Sequence, residues 1–203
     1  MIDAKLLADL RAAYDRDAPR RAVRGLEWRA GVLDEWLEGL PGKPKLLELG
    51  AGTGQAAAYV ADRGGRVTAI DLSPENVEQC RLRGVDARVG DFGDLDLPDA
   101  LFDGVWSINA LVHVPKGDLP HVVAGVRPVM KRGGSLLIVV WGGRDMEGTI
   151  PDDWCVPARF FSFFTDAGLA ALRFVGFEVA DVRFLENEGD DGLHSQVMTL
   201  AAV

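Results

Sequence analysis

The sequence predicts an α/β fold: a mostly parallel sheet with helices on both faces, ending in an antiparallel hairpin. Three observations carry this expectation. From residue 45 onward, short apolar runs alternate with helical segments. One of those runs, Leu46-Leu47-Glu48-Leu49, enters the glycine string Gly50-Ala51-Gly52-Thr53-Gly54 and then a helical segment. Near the end, two strand-like stretches are joined by the acidic ENEGDDGL, too short a link for the long crossover that parallel strands need.

Taken in order, residues 3–14 place Leu6, Leu7, Leu10 and Tyr14 at helical spacing, and Asp17-Ala18-Pro19 predicts a break. A second helix is expected over 21–40, stopped by Pro41-Gly42-Lys43-Pro44, since neither proline nor glycine continues a helix cheaply. The expected strands are 45–49, 66–70, 87–89, 104–108 and 135–140, with helices at 54–63, 74–83 and 118–131. Ser73 is placed to cap the second of these helices and Pro74 suits its first position. Pro128 should kink or weaken the third. A loop over 142–157 leads to Arg159-Phe160-Phe161-Ser162-Phe163-Phe164 and to a helix capped near Thr165 that stops at Gly176. The hairpin strands are 177–185 and 194–201.

Composition bounds the function. The 203 residues carry 22 Lys+Arg against 31 Asp+Glu, a formal net charge of −9, which disfavours general nucleic-acid binding. Hydrophobic residues make up 48% and charged residues 26%, as in a soluble single domain, and no apolar run reaches the roughly 20 residues of a membrane span. The start MIDAKLLADLRAAYDRD lacks the basic-then-apolar order of a signal peptide, so a cytoplasmic location is expected. Cys80 and Cys155 make neither a disulfide framework nor a metal-spacing pair, and no metal is expected. No phosphate-loop or nucleophile-elbow motif is present.

The glycine string allows a tight turn and a close backbone approach to a ligand. Asp71 ends the next strand, 17 residues after Gly54, where nucleotide-binding sheets place an acid on ribose hydroxyls. A turn with Asp71 capping the following helix is the plainer alternative. A nicotinamide or flavin fingerprint is G-x-G-x-x-G, and the third glycine of that spacing is absent at Gln55. Glu48, an acid just before the loop, would repel a pyrophosphate; it suits an anchor for the loop amides or a partner for a ligand ammonium.

These residues resemble the class I S-adenosylmethionine-dependent methyltransferases. Leu47–Gly54 looks like their first motif, which wraps the methionine part of the cofactor through Glu48, Gly50, Ala51, Gly52, Thr53 and Gly54. Val67–Pro74 resembles the second, implying Asp71 on the ribose and Leu72 beside the adenine. Val89-Gly90-Asp91-Phe92 is similar to the third, implying Asp91 on the adenine amino group and Phe92 against the ring. Phe102–Ser107 resembles the fourth strand, whose end implies a reach to the methionine moiety through Ser107 to Asn109. Lys131-Arg132-Gly133-Gly134 looks like the family's K-P-G-G turn with Arg132 in place of the proline. The resemblance covers about residues 14–203 and implies a Rossmann-like seven-stranded sheet, with S-adenosyl-L-methionine as cofactor and S-adenosyl-L-homocysteine as product. Leu111–Pro115 and Arg159–Phe161 resemble the tellurite-resistance and ubiquinone-biosynthesis type, which act on small molecules. A single domain over 1–203 then divides into a helical cover (1–40), a cofactor core (45–141) and a substrate-side segment (142–203).

His113 follows the fourth strand on the ligand side of such a sheet. A free imidazole titrates near pH ~6.5, so it is a candidate general base, with loop ordering as the alternative. His121 and His194 read as surface residues. Tyr14 is expected over the cofactor or packed on the second helix, and Trp28, Arg159 and Phe161 are candidate substrate contacts. Arg20, Arg21, Arg24 and Arg29, opposed only by Glu27, read as a solvated helix face or as a site for a substrate anion. The aspartates at 91–103 read as a solvated loop apart from Asp91. The function expected is methyl transfer to an oxygen or nitrogen of a small organic acceptor. The alternatives are a peptide or protein methyltransferase, a cofactor-binding subunit without turnover, and an NAD-dependent oxidoreductase. The sequence leaves the oligomeric state open.

Overall fold

The computed structural model describes residues 2–23, 25–26, 28–151, 153–185 and 192–203. Helix α1 (Ala4–Arg21) and helix α2 (Arg29–Glu38) precede the sheet. Strands β1 (Lys45–Leu49), β2 (Arg66–Asp71), β3 (Asp86–Val89), β4 (Phe102–Ile108) and β5 (Met130–Gly142) run parallel. Helices α3 (Gln55–Asp62), α4 (Pro74–Leu82) and α5 (Leu119–Val126) connect them. A two-stranded ribbon of β6 (Met146–Thr149) and β7 (Phe160–Phe163), a short helix α6 (Asp166–Ala170) and the antiparallel pair β8 (Phe177–Leu185) and β9 (His194–Ala202) complete the chain. The seven-stranded sheet has the order β3-β2-β1-β4-β5-β9-β8. The order reverses between β1 and β4, and ligands collect outside the strand ends at such a switch point.

Alternation along β1 builds both faces. Leu47 and Leu49 join Phe102, Val105, Val122, Val123 and Val126 on the face covered by α5. Leu46 joins Leu33, Trp36, Val60 and Trp106 on the face covered by α2 and α3. Successive side chains on a strand point to opposite faces, so a sheet covered on both sides reads as a continuous apolar run.

Several expected boundaries are corrected. Helix α1 does not break at Asp17-Ala18-Pro19: it continues to Arg21, with Ala13, Asp17 and Ala18 buried where α1 lies on α4. Proline removes one backbone bond, and tertiary burial offsets that loss. Helix α2 starts at Arg29, not near residue 21; the Arg29 guanidinium donates to the carbonyls of Gly25 and Leu26, which a continuous helix would have committed to its own amides. Helix α5 ends at Val126, so Pro128 kinks nothing: Arg127 caps the helix with αR backbone and the proline stands beyond it. The Pro128 carbonyl accepts the Ala100 amide instead (2.8 Å). Strand β5 is longer than expected: Phe102 pairs with Met130 and Gly104 with Ser135, so Lys131–Gly134 bulges from the register. The expected loop over 142–157 contains β6, whose sequence MEGT has no alternation to announce it. Thr165 caps α6 as expected, accepting from the Gly168 amide, but the helix ends at Ala170. Ser73 caps α4 by accepting from the Asn76 amide (3.1 Å). The hairpin forms as expected; residues 186–191 of its turn lie outside the described residues.

Gly104 sets how closely α2 approaches the sheet. A Cβ there would stand 2.8 Å from the Trp36 ring, which donates through Nε1 to Ser135 Oγ (2.8 Å). Gly104→Ala should therefore lower stability by about 1–3 kcal/mol through overpacking. Urea denaturation measures this, and an unchanged midpoint contradicts the packing described.

Candidate active site

The glycine loop is held from behind. Gly50 (φ +75°) passes so near the segment after β4 that a Cβ on it would lie 2.2 Å from the Ala110 Cβ, and the left-handed backbone favours glycine in any case. The amides of Gly50 and Ala51 both donate to the Ile70 carbonyl (2.8 and 3.1 Å). The Gly52 amide donates to Asp71 Oδ2 (2.7 Å), while Asp71 Oδ1 accepts from the Ser73 amide (2.9 Å) and Asn76 Nδ2 (3.1 Å). Burial raises the Asp71 carboxyl above its ordinary value, opposed by its Ser73, Asn76 and Gly52 donors. Asp71 thus steadies the loop and the start of α4 together. Gly54 serves the turn into α3, and Thr53 donates through its hydroxyl to Gln55 Oε1 (2.7 Å).

Glu48 does not anchor the loop amides, which Ile70 and Asp71 already hold. Its Oε1 accepts from Trp106 Nε1 (3.0 Å); its Oε2 is buried without a partner, and burial pushes the carboxyl up to about 8. Asn109 (φ +58°) likewise keeps a buried Oδ1 without a partner. Both residues line a chamber of about 510 Å³, together with Ala51, Thr53, Trp28, Phe161 and Arg159. A second compartment of about 80 Å³ lies between α1 and the strand ends, lined by Leu7, Leu10, Asp71, Leu72, Asp91 and Phe92. Gly50, Gly52, Asn109, Tyr14 and His113 line both. Ser107 is not brought to either space: its hydroxyl is buried and donates to the Leu49 carbonyl (3.1 Å), tying β4 to β1. Asp91 Oδ1 accepts the Gly93 amide (2.7 Å).

Over the chamber runs a chain of side-chain bonds. His113, on a single 3-10 turn at Leu111–His113, faces the Phe160 carbonyl through Nδ1 (2.6 Å), so that nitrogen carries the proton. Nε2 is then an acceptor, to which the Tyr14 hydroxyl donates (2.5 Å). Arg159 Nη1 lies 3.4 Å from the Tyr14 oxygen, while its Nε and Nη2 fork onto Asp153 (3.1 and 2.8 Å). Burial draws the His113 imidazole down to about 4, with the Phe160 carbonyl opposing and Arg159 and Arg21 adding. His113 is held neutral with both nitrogens engaged by Phe160 and Tyr14, an arrangement that fits the loop-ordering alternative better than a base titrating near neutrality.

The other flagged residues separate clearly. Arg20 stacks on Trp154 (4.3 Å), and Arg21 pairs loosely with Asp17 (3.5 Å) and lies 5.0 Å over the Tyr14 ring. Arg24 and Glu27 lie outside the described residues. Arg21 and Arg29 line the chamber, so these arginines do not form a plain solvated face. His121 is exposed, whereas His194 is not a free surface residue: its Nε2 meets Asp166 Oδ1 at 2.6 Å. Cys80 and Cys155 are buried and unpaired, and no group of His, Cys, Asp or Glu suited to a metal occurs among the described residues. Trp141, Ile150, Asp153 and Trp154 also line the chamber. Nothing in their spacing announces them, because they come from a strand end and an irregular segment.

Comparison with known proteins agrees with this geometry. Residues 47–138 match the family described as Methyltransferase domain. Over 133 residues the chain is 33% identical to a ubiquinone biosynthesis O-methyltransferase of Xanthomonas axonopodis pv. citri (strain 306), covering 62% of this chain and 54% of that protein. It is 33% identical over 114 residues to an S-adenosyl-L-methionine-dependent Diels-Alderase of Talaromyces variabilis, covering 51% and 38%. The chain thus spans about half or less of the length of these curated relatives. The crystal structure of Burkholderia thailandensis 1,6-didemethyltoxoflavin-N1-methyltransferase, with bound 1,6-didemethyltoxoflavin and S-adenosylhomocysteine, superposes with a TM-score of 0.75 at 25% identity, covering 98% of this chain and 88% of that one.

Residues 47–138 carry the Methyltransferase domain pattern, and the fold and glycine loop are similar to those of S-adenosylmethionine-dependent methyltransferases. The family's cofactor fits the residues present, since the buried, unpartnered oxygens of Glu48 and Asn109 are acceptors awaiting a donor such as its ammonium group.

The raised Glu48 has a signed consequence for stability. Its folded pKa of about 8 exceeds the ordinary value of 4.5, so the folded state binds more protons and stability falls as pH rises through that window. Glu48→Gln should remove this loss, gaining stability over the parent progressively from pH 5 to pH 8. It should also weaken S-adenosylhomocysteine binding about ten- to a hundredfold, the worth of a hydrogen bond to a charged group. Paired denaturation curves and calorimetry read both effects; a pH-independent difference contradicts the raised carboxyl.

Proposed function

We propose that this chain transfers the methyl group of S-adenosylmethionine to an oxygen or nitrogen of a small organic acceptor by in-line displacement. The observation that carries the reading is the wall of Gly50, Gly52 and Asn109 that the two compartments share. A ligand laid along that wall keeps its nucleoside end in the narrow compartment and turns its other end to the wide one. Leu72 and Phe92 would hold the adenine, Asp91 its amino group and Asp71 the ribose. Glu48 would take the ammonium, and Arg29, whose charge favours the ionised Glu48, would take the carboxylate. When bound, the cofactor supplies a methyl group on a positively charged sulfur. This chain's own part is to position the acceptor and exclude water, the main contributions to such a displacement.

A small acceptor is favoured over a peptide because the chamber volume lies within the usual range for small-ligand pockets. The Tyr14–His113 bond also draws α1 over the site. Among the described residues no helix is long and apolar enough to cross a membrane.

The test is incubation with methyl-labelled cofactor and a panel of aromatic and aliphatic alcohols, amines and acids, read by mass spectrometry. A product gaining one labelled methyl is expected. An isomerised product without mass gain, or cofactor binding without turnover of any acceptor, contradicts the proposal. Asp71→Ala should weaken S-adenosylhomocysteine binding at least tenfold, since it loses a charged ribose partner and the Gly52 anchor together; unchanged calorimetric affinity contradicts the ribose role.

A further inference from the structure

Resting on the methyl-transfer reading, we infer that the acceptor binds as a flat aromatic anion, an ionised ring hydroxyl or ring N–H. Arg21 and Arg159 would hold it beside Tyr14, and the displacement then needs no side-chain base.

Among the described residues, His113, Asp153 and Tyr14 are held by other protein groups, and Glu48, whose Oε2 has no protein partner, is assigned to the cofactor's ammonium. On the 3-10 turn, His113 donates from Nδ1 to Phe160 and accepts at Nε2 from Tyr14. Before β7, both oxygens of Asp153 accept from Arg159: Oδ2 from its amide (2.7 Å) and Nε, Oδ1 from Nη2. Burial raises Asp153, but the Arg159 bonds and charge outweigh it and hold the carboxyl below the usual range. On β1, Glu48 stands at the loop end of the chamber, bound to Trp106 and beside Arg29 of α2. On α1, the Tyr14 hydroxyl proton is spent on His113, and burial raises that hydroxyl further despite Arg21 and Arg159.

The cations are arranged the opposite way. Arg159 is buried and keeps Nη1 outside its fork on Asp153, turned to the Tyr14 oxygen. The Arg21 guanidinium lies over the ring of the same tyrosine. In a protein of net charge −9, two guanidinium groups thus flank one tyrosine, Arg159 at its hydroxyl and Arg21, loosely paired with Asp17, over its ring, where their charge favours the anionic form of an acidic acceptor. The walls give the shape. Phe161 floors the chamber 5.1 Å from the Arg159 guanidinium, and Trp28 and Trp141 line it while keeping 38% and 41% of their surface exposed. Large aromatic faces left open beside guanidinium groups suit a planar, electron-rich ligand.

The chemistry balances without a base. The acceptor loses its proton to solvent as it binds. A lone pair on its oxygen or nitrogen forms the new bond to the methyl carbon, and the carbon–sulfur bond breaks with its pair left on sulfur. The anion and the sulfonium charge disappear together, so the methylated product loses its hold on Arg21 and Arg159 and departs.

The experiment uses the complex with S-adenosylhomocysteine and 4-nitrophenol as probe, whose phenolate band reports ionisation directly. The bound probe should titrate about one unit below its value in solution, a tenfold preference for the anion. Its methyl ether 4-nitroanisole should bind at least tenfold more weakly, and Arg21→Gln should cut both effects several-fold. Binding as the neutral phenol, equal affinity for the ether, or no binding of 4-nitrophenol overturns the inference. Failure of S-adenosylhomocysteine to bind in the prior titration would instead strike the methyl-transfer reading itself.

Discussion

The Asp71 carboxylate is the constraint on which the site depends. It stands at the end of β2, beside the strand that runs into the glycine loop, and it fixes that loop through the Gly52 amide and α4 through Ser73 and Asn76. Glycines permit left-handed turns but lose more conformational freedom than other residues when they are ordered. A buried carboxylate accepting three N–H bonds offsets that loss and presents the loop in one shape. From that shape follow the close approach of Gly50 to Ala110 and the convergence of Glu48 and Asn109 on one chamber.

The same loop also receives the N-terminal helix. Gln55 donates to the Arg21 carbonyl (2.8 Å), and Arg83 donates to the carbonyls of both Thr53 (2.8 Å) and Ala22 (2.5 Å). Asp15 accepts from the Ser73 hydroxyl (2.5 Å). The bonds to Arg21 and Ala22 occupy carbonyls at the end of α1, and together the four join the helix to the elements that shape the loop. Tyr14 reaches His113 because α1 is held there.

What could be read from the sequence was local. The run from Leu46 to Gly54 and the Ser73-Pro74 cap declare themselves within a dozen residues and the terminal hairpin within one contiguous stretch, and each stands as expected. The chamber did not declare itself. Tyr14 and His113 are 99 positions apart, Arg159 reaches Tyr14 across 145, and the protonation of His113 follows from burial that no local pattern encodes. Ser107 shows the converse: its motif position pointed to the ligand, but its strand register turned the hydroxyl onto Leu49. Pro19 and Pro128 failed as markers in opposite directions, one absorbed by a buried helix and the other placed beyond a helix already ended.

The central claim is that the loop end of the chamber is built for an ammonium group against Glu48. Calorimetric titration of S-adenosylhomocysteine at pH 7, in buffers of different ionisation enthalpy, tests it most directly. A carboxyl held at about 8 is mostly protonated in the free protein and must ionise when a cation reaches it. The account predicts that binding releases about one proton, seen as a heat that changes with buffer. Equal heats in both buffers, with S-adenosylhomocysteine bound, would contradict it.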